Sequence, residues 1–153
     1  AINPNVNFAA HLALYPPCIV TPENLSFSDS PMHILIGELD NWTPAQACVD
    51  LLELIDKENI NLTVYPGAHH SFDRNTEPII KKNGYILKDC RFKMKENGTV
   101  VMNFLNIPMS SPFLQKIGLS GCVKRGPTYG GNQQTKIKAM KFAKDFMSKH
   151  LLN

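Results

Sequence analysis

Two residue types that do acid–base work stand directly after apolar runs. Asp40 lies in Gly37-Glu38-Leu39-Asp40-Asn41-Trp42-Thr43-Pro44, just past Met32 to Ile36. His69 and His70 lie in Tyr65-Pro66-Gly67-Ala68-His69-His70-Ser71-Phe72-Asp73, just past Leu62 to Tyr65. An aspartate can orient an imidazole and stabilise its protonated form, and the imidazole can then act as general base and later as general acid. In parallel α/β sheets, ligands bind beyond the carboxyl ends of the strands, so successive strands can deliver such a pair to one place. Plainer readings exist for the same residues. Asp40 could be a helix-entry residue near the dipole, and the histidines could be polar loop residues.

The elements that must position them are legible in outline. His11 to Tyr15 is a short apolar run closed by Pro16-Pro17 and reads as a buried strand. Residues 21–31, rich in Ser, Pro, Asn and Asp, read as a loop. Met32 to Ile36 is a second buried strand and Leu62 to Tyr65 a third; runs with little alternation suggest parallel strands covered on both faces. Between them, Thr43-Pro44-Ala45-Gln46 offers an N-cap Thr, Pro at the first helical position and Gln three residues after the cap. Apolar Cys48, Leu51, Leu52 and Ile55 follow at helical spacing. Strand, helix and strand form a right-handed parallel crossover.

Residues 81–134 break this rhythm. Arg91 to Lys95 alternates, Asn97-Gly98 is a hairpin turn signal, and Val100 to Phe104 is the return strand. Residues 106–134 carry Pro108, Pro112, Pro127 and five glycines and read as a long irregular excursion, the kind that is functional or mobile. Residues 135–152 form a last helix with Ala139, Met140, Phe142, Ala143, Phe146 and Met147 on its apolar face. The expectation is one α/β domain over 1–153, with three parallel strands, flanking helices and a hairpin-containing excursion at 81–134.

Acid after one strand, His after the next, then a closing helix is the order found at the tail of an α/β-hydrolase, whose triad runs nucleophile, acid, His. On four stretches the chain resembles the C-terminal half of the dienelactone hydrolase family. They are Phe8-Ala9-Ala10 with Tyr15-Pro16-Pro17-Cys18; Gly37-x-x-Asp40-x-Trp42-Thr43-Pro44 with Cys48; Tyr65-Pro66-Gly67-Ala68-x-His70-x-Phe72-Asp73; and Gly126-Pro127-Thr128-Tyr129-Gly130-Gly131-Asn132. The resemblance implies that the strands correspond to the sixth, seventh and eighth of the full fold. It implies Asp40 as the acid and selects His70, which precedes a small residue and Phe, over His69. It implies hydrolysis of a small ester or lactone through an acyl-enzyme, with no metal or organic cofactor.

One departure accompanies these matches. The family nucleophile, Cys or Ser in a Gly-x-Cys/Ser-x-Gly elbow, is not present. The nearest candidate, Gly118-Leu119-Ser120-Gly121-Cys122, has its second Gly one position early and no buried strand leading into it. Using Ser120 would also need the order acid, His, nucleophile; its plainer role is a loop that positions Cys122. The expectation is therefore a half-enzyme, inactive alone, whose nucleophile and most of whose oxyanion hole lie upstream. Its sheet edge then pairs with the missing N-terminal half or with a second copy.

The four cysteines, Cys18, Cys48, Cys90 and Cys122, allow two disulfides in three connectivities. Their placement fits the family reading. Cys18 follows strand one and Cys48 is in the first turns of the helix after strand two, at the same end of the sheet; Cys90 and Cys122 would then tie the excursion shut. Bridges mean an exported chain, periplasmic or secreted; four buried free thiols mean a cytosolic one. Four sequons, at Asn24, Asn41, Asn61 and Asn97, matter only in a glycosylating pathway. Trp42 and Phe72 flank the site, as walls of an acyl or lactone pocket or as packing against the nearby loop.

Composition bounds the rest. A chain of 153 residues with 43% apolar and 19% charged residues is globular. No apolar stretch is long enough to span a membrane, and the first residues lack the basic, apolar, small-residue order of a signal peptide. The net charge of +3 conceals an asymmetry: residues 1–80 carry two basic and ten acidic side chains, residues 81–153 fourteen basic and three acidic. The alternative function is a non-catalytic module that uses this basic 81–153 region on nucleic acid or an acidic partner. Lysines scattered singly without interleaved aromatics read instead as a solvated face, so neither nucleic acid nor membrane is an expected partner.

Overall fold

A computed structural model describes residues 7–152. The outermost residues of the expected domain, 1–6 and 153, and with them most of the segment read for a signal peptide, lie outside the described residues. In chain order the elements are β1 (His11–Leu14), β2 (Val20–Pro22), β3 (Met32–Gly37), α1 (Ala45–Ile55), β4 (Ile60–Tyr65), β5 (Ile79–Ile80), β6 (Tyr85–Ile86), β7 (Phe92–Met94), β8 (Val100–Met102), α2 (Pro112–Leu119), β9 (Lys124–Arg125), β10 (Thr128–Tyr129) and α3 (Gln133–Leu151).

The central sheet is parallel, in the order β1-β3-β4. Its middle strand shows why the run Met32–Ile36 had to be apolar throughout. Ile34 and Ile36 point into one buried cluster with Ala47, Cys48 and Leu51 of α1. Leu35, between them, points into a second cluster with Tyr65, Phe72 and Ala139 of α3. Alternate side chains of a strand face opposite sides, so a strand covered on both faces loses its polar positions. Burying Leu35 and Ile36 completely contributes roughly 1.5–3 kcal/mol each.

Three expectations about the elements need correction. Residues 21 and 22 of the expected 21–31 loop belong to a strand: β2 pairs in parallel with β7, and the β7–β8 hairpin completes a second small sheet. Pro22 is tolerated because β2 is an edge strand, where a missing N–H is not needed. Residues 106–134 are not irregular throughout, because Pro112 starts α2 rather than breaking one. The Ser111 side chain accepts from Leu114 N and Pro112 occupies the first turn, a favoured helix start. Third, Thr43 does not cap α1. Pro44 is the N-cap residue and no side chain closes that helix end. The two-residue ladder β6–β9 pins the excursion to itself, and β5–β10 pins its end to the residues just before it.

Both cysteine pairs lie at bonding distance, Cys18 with Cys48 and Cys90 with Cys122, with Cα separations of 4.9 and 5.1 Å. The first ties the segment after β1 to α1. The second closes the excursion from Cys90 to Cys122, three residues past the end of α2. Among the described residues, no helix is long and apolar enough to cross a membrane.

His33 of β3 gives the fold a pH dependence. Its Nε2 lies 2.8 Å from Thr63 Oγ1, and its ring packs 4.3 Å from that of Phe142. Burial pushes its pKa below the usual 6.5, because desolvation disfavours the charged form. The unfolded chain then binds the proton more readily than the folded one, so this contribution is complete above about pH 6.5 and is lost as pH falls toward the folded value. Melting between pH 8 and 5 is expected to show a decline that flattens in His33→Gln. An equal decline in both proteins would assign it to other groups.

Candidate active site

The geometry begins with the turn after β3. Glu38 N donates to Tyr65 O and Leu39 N to Ala68 O, both at 2.9 Å, so the loops after β3 and β4 are stitched together. Gly37 makes this approach possible: a Cβ there would overlap the Ala68 carbonyl oxygen. Replacing Gly37 by Ala is expected to cost about 2–4 kcal/mol of stability, by forcing the two loops apart. A melting temperature within a degree of wild type would show that the loops can yield.

Asp40 is buried, and its carboxylate meets the backbone and side chain of its own turn and the ring of His70. Its Oδ1 accepts from Trp42 N at 2.9 Å and Thr43 N at 2.8 Å. These two bonds hold the carboxylate plane by the backbone that follows it. Its Oδ2 faces His70 Nδ1 at 2.8 Å and Thr43 Oγ1 at 2.9 Å. The Asp40 side chain has no exposed surface and that of His70 keeps 16%. With its Nδ1 proton on Asp40, the imidazole presents Nε2 as the acceptor on its far side.

The neighbouring histidine is engaged elsewhere. His69 Nδ1 lies 3.1 Å from Leu39 O, so its ring belongs to the loop backbone. The structure thus brings His70, and not His69, to Asp40.

Aromatic rings hold the His70 ring in place. Tyr15 packs against it at 4.5 Å and Trp42 at 5.2 Å, centroid to centroid. Tyr129 meets Trp42 at 5.7 Å. Trp42 is half-buried and lies at the site. Phe72 is fully buried and packs edge-on against Tyr15 and Tyr65. A fully buried ring cannot wall an open pocket, so of its two readings the packing one fits its place, and it supports the site from beneath.

Sequence reasoning missed three contributors. Tyr15 was read as the end of a strand, yet its OH donates to Asp73 Oδ1 at 3.2 Å. Burial first, and then the Asp73 charge, push its pKa above the usual 10.0, which keeps it a donor. Thr43 was read as a helix cap. The third is the tail segment: Tyr129 bridges to His70, and Gly130 N donates to His70 O at 2.9 Å. Asn132 N donates to Phe72 O at 2.9 Å, and Gly131 lies so close to Arg74 O that no Cβ fits. The glycines and Asn of that segment therefore serve to clasp the loop that carries His70.

Ser120 lies at the C-cap of α2. Its hydroxyl donates to Ile117 O at 2.7 Å, and it lines a cavity with Tyr85, Lys116 and Val123, none of them a residue of the Asp40–His70 site.

A family model described as Dienelactone hydrolase family matches residues 2–96, more than half of the chain. That span contains Asp40 and His70. It includes the first turns of the excursion and stops before the Gly126–Asn132 segment. Among curated proteins and among solved structures, no significant match was found.

Proposed function

The chain belongs to the dienelactone hydrolase family, and from that premise we propose that Asp40 and His70 are the acid and general base of a nucleophile–His–Asp hydrolase of small esters or lactones. Membership carries hydrolase chemistry at the level of the family. The observation that carries the finer reading is the 2.8 Å contact between a buried Asp40 Oδ2 and His70 Nδ1 at the carboxyl ends of adjacent parallel strands. Asp40 orients the ring. His70 takes the nucleophile's proton through Nε2, returns it to the leaving group, and then activates water against the acyl-enzyme.

The nucleophile and most of the oxyanion hole come from a segment outside these residues. The outer edge of β1 has no partner strand among the described residues, and an unpaired edge is a template for another strand. That edge is where the segment bearing the nucleophile pairs; a second copy is the alternative occupant. The paired cysteines favour an exported protein, in the periplasm or outside the cell. Mixed with the upstream segment, the chain is expected to co-sediment with it and to hydrolyse p-nitrophenyl acetate; alone it does not hydrolyse the ester. Full hydrolysis by the chain alone would overturn this division of labour.

The alternative of a basic interaction module finds no specific support. Arg91 pairs with Asp50, Lys124 with Asp89 and Lys141 with Asp145, and Arg125 lies over the Tyr85 ring. Several of the basic groups thus have partners within the fold.

A further inference from the structure

Thr43 occupies a position that neither a helix cap nor a core threonine requires. Its Oγ1 lies 2.9 Å from Asp40 Oδ2, 3.0 Å from His70 Nδ1 and 3.1 Å from Tyr15 O. With the 2.8 Å contact between Asp40 and His70, the three side-chain atoms form a nearly equilateral triangle. Tyr15 follows β1, Asp40 follows β3 and His70 follows β4. One hydroxyl therefore touches the segments that follow all three strands of the central sheet.

A hydroxyl has one hydrogen and two lone pairs. The Tyr15 carbonyl and the Asp40 carboxylate are acceptors only, so the single Thr43 hydrogen goes to one of the two. That leaves a Thr43 lone pair facing His70 Nδ1, where it can be satisfied only by the Nδ1 hydrogen. The imidazole proton is then shared: its main partner is Asp40 and its second partner is Thr43. A ring held at Nδ1 by one oxygen can pivot about that bond. A ring held by two oxygens keeps its plane, and its Nε2 keeps one direction.

We propose that the Thr43 hydroxyl is a positioning group for His70, taking a share of the Nδ1 proton and so fixing the plane of the imidazole that Asp40 orients. This rests on the Asp40–His70 reading above. Thr43 precedes Pro44, the N-cap residue of α1, and its hydroxyl is turned away from that helix end toward Tyr15, Asp40 and His70.

The test is the Nδ1 nitrogen resonance of His70, read through correlation to the ring C–H protons in the labelled 153-residue chain. In Thr43→Val the proton has Asp40 as its only acceptor, and the Nδ1 resonance is expected to move toward that of a single, stronger hydrogen bond. Thr43→Ser, which keeps the hydroxyl, is expected to retain the wild-type position. A merely structural threonine predicts the reverse: loss of packing in the variant weakens the Asp40 contact and moves the resonance toward a free imidazole. That movement, or none, overturns the inference. Thr43→Ala is read in the same way should the valine variant not fold. The outcomes separate from the failure of the underlying reading, because a wild-type Nδ1 resonance indifferent to Asp40→Asn would sink the Asp40–His70 pair itself.

Discussion

Asp40→Asn is expected to lower kcat by about 10⁴ in the enzyme assembled with its nucleophile, with the fold intact. The reason lies in which atom faces His70. The Asn carbonyl would keep the two backbone donors, Trp42 N and Thr43 N, that now hold Asp40 Oδ1. Its NH₂ group would then sit where Oδ2 meets His70 Nδ1. Two donors cannot face each other, so the imidazole takes its proton on Nε2 and loses the lone pair that serves as base. A loss of that size corresponds to roughly 5.5 kcal/mol of barrier. His70→Ala is expected to fall to a similar level, and the double variant no further, since both remove one unit. A loss below about tenfold for Asp40→Asn would mean that the base is another group.

The second large effect concerns stability. Replacing Cys18 and Cys48 together by Ala is expected to cost about 3–4 kcal/mol, seen as a lower midpoint of urea unfolding. The bridge spans a sequence separation of 30, and releasing it restores that loop's freedom to the unfolded chain. Both cysteines are buried in the cluster shared by β3 and α1, so alanine leaves a small cavity and no unpaired polar group. The closed loop contains Asp40 and Thr43, while their partner His70 lies outside it. Denatured, unreduced protein is expected to yield no titratable thiol. Four thiols, with an unchanged midpoint in the double variant, would indicate a reduced protein and remove the support for export.

What was legible beforehand, and what was not, follows from the range of the signals involved. The three parallel strands and α1 could be read because burial on both faces leaves nothing but apolar residues at Ile34, Leu35 and Ile36. Asp40 and His70 stood out because strand ends concentrate chemistry. The pairing of Val20–Pro22 with β7 was invisible, since its partner lies some seventy residues away and three residues carry no period. The helix α2 was hidden by Pro112, whose two meanings, breaker and first residue, differ only in the Ser111 cap before it. Thr43 was the instructive miss. Its neighbours spell a capping box, and local pattern rewards that reading. Only the three-dimensional approach of Tyr15, Asp40 and His70 shows that its hydroxyl is used elsewhere. Tyr15 was hidden for a related reason, for nothing in an apolar run marks the residue whose ring will lie on a histidine.

The central claim is that this chain holds the acid and the base of a hydrolase whose nucleophile lies outside it. It is tested most directly by intact mass after incubation with a fluorophosphonate probe. The 153 residues alone are expected to show no mass increase, while the longer polypeptide that includes the upstream segment takes one adduct there, on a serine, or on its nucleophilic cysteine with a thiol-directed probe. A single adduct on a residue of this chain, with Ser120 the first to examine, would contradict the account and make the chain an enzyme complete in itself.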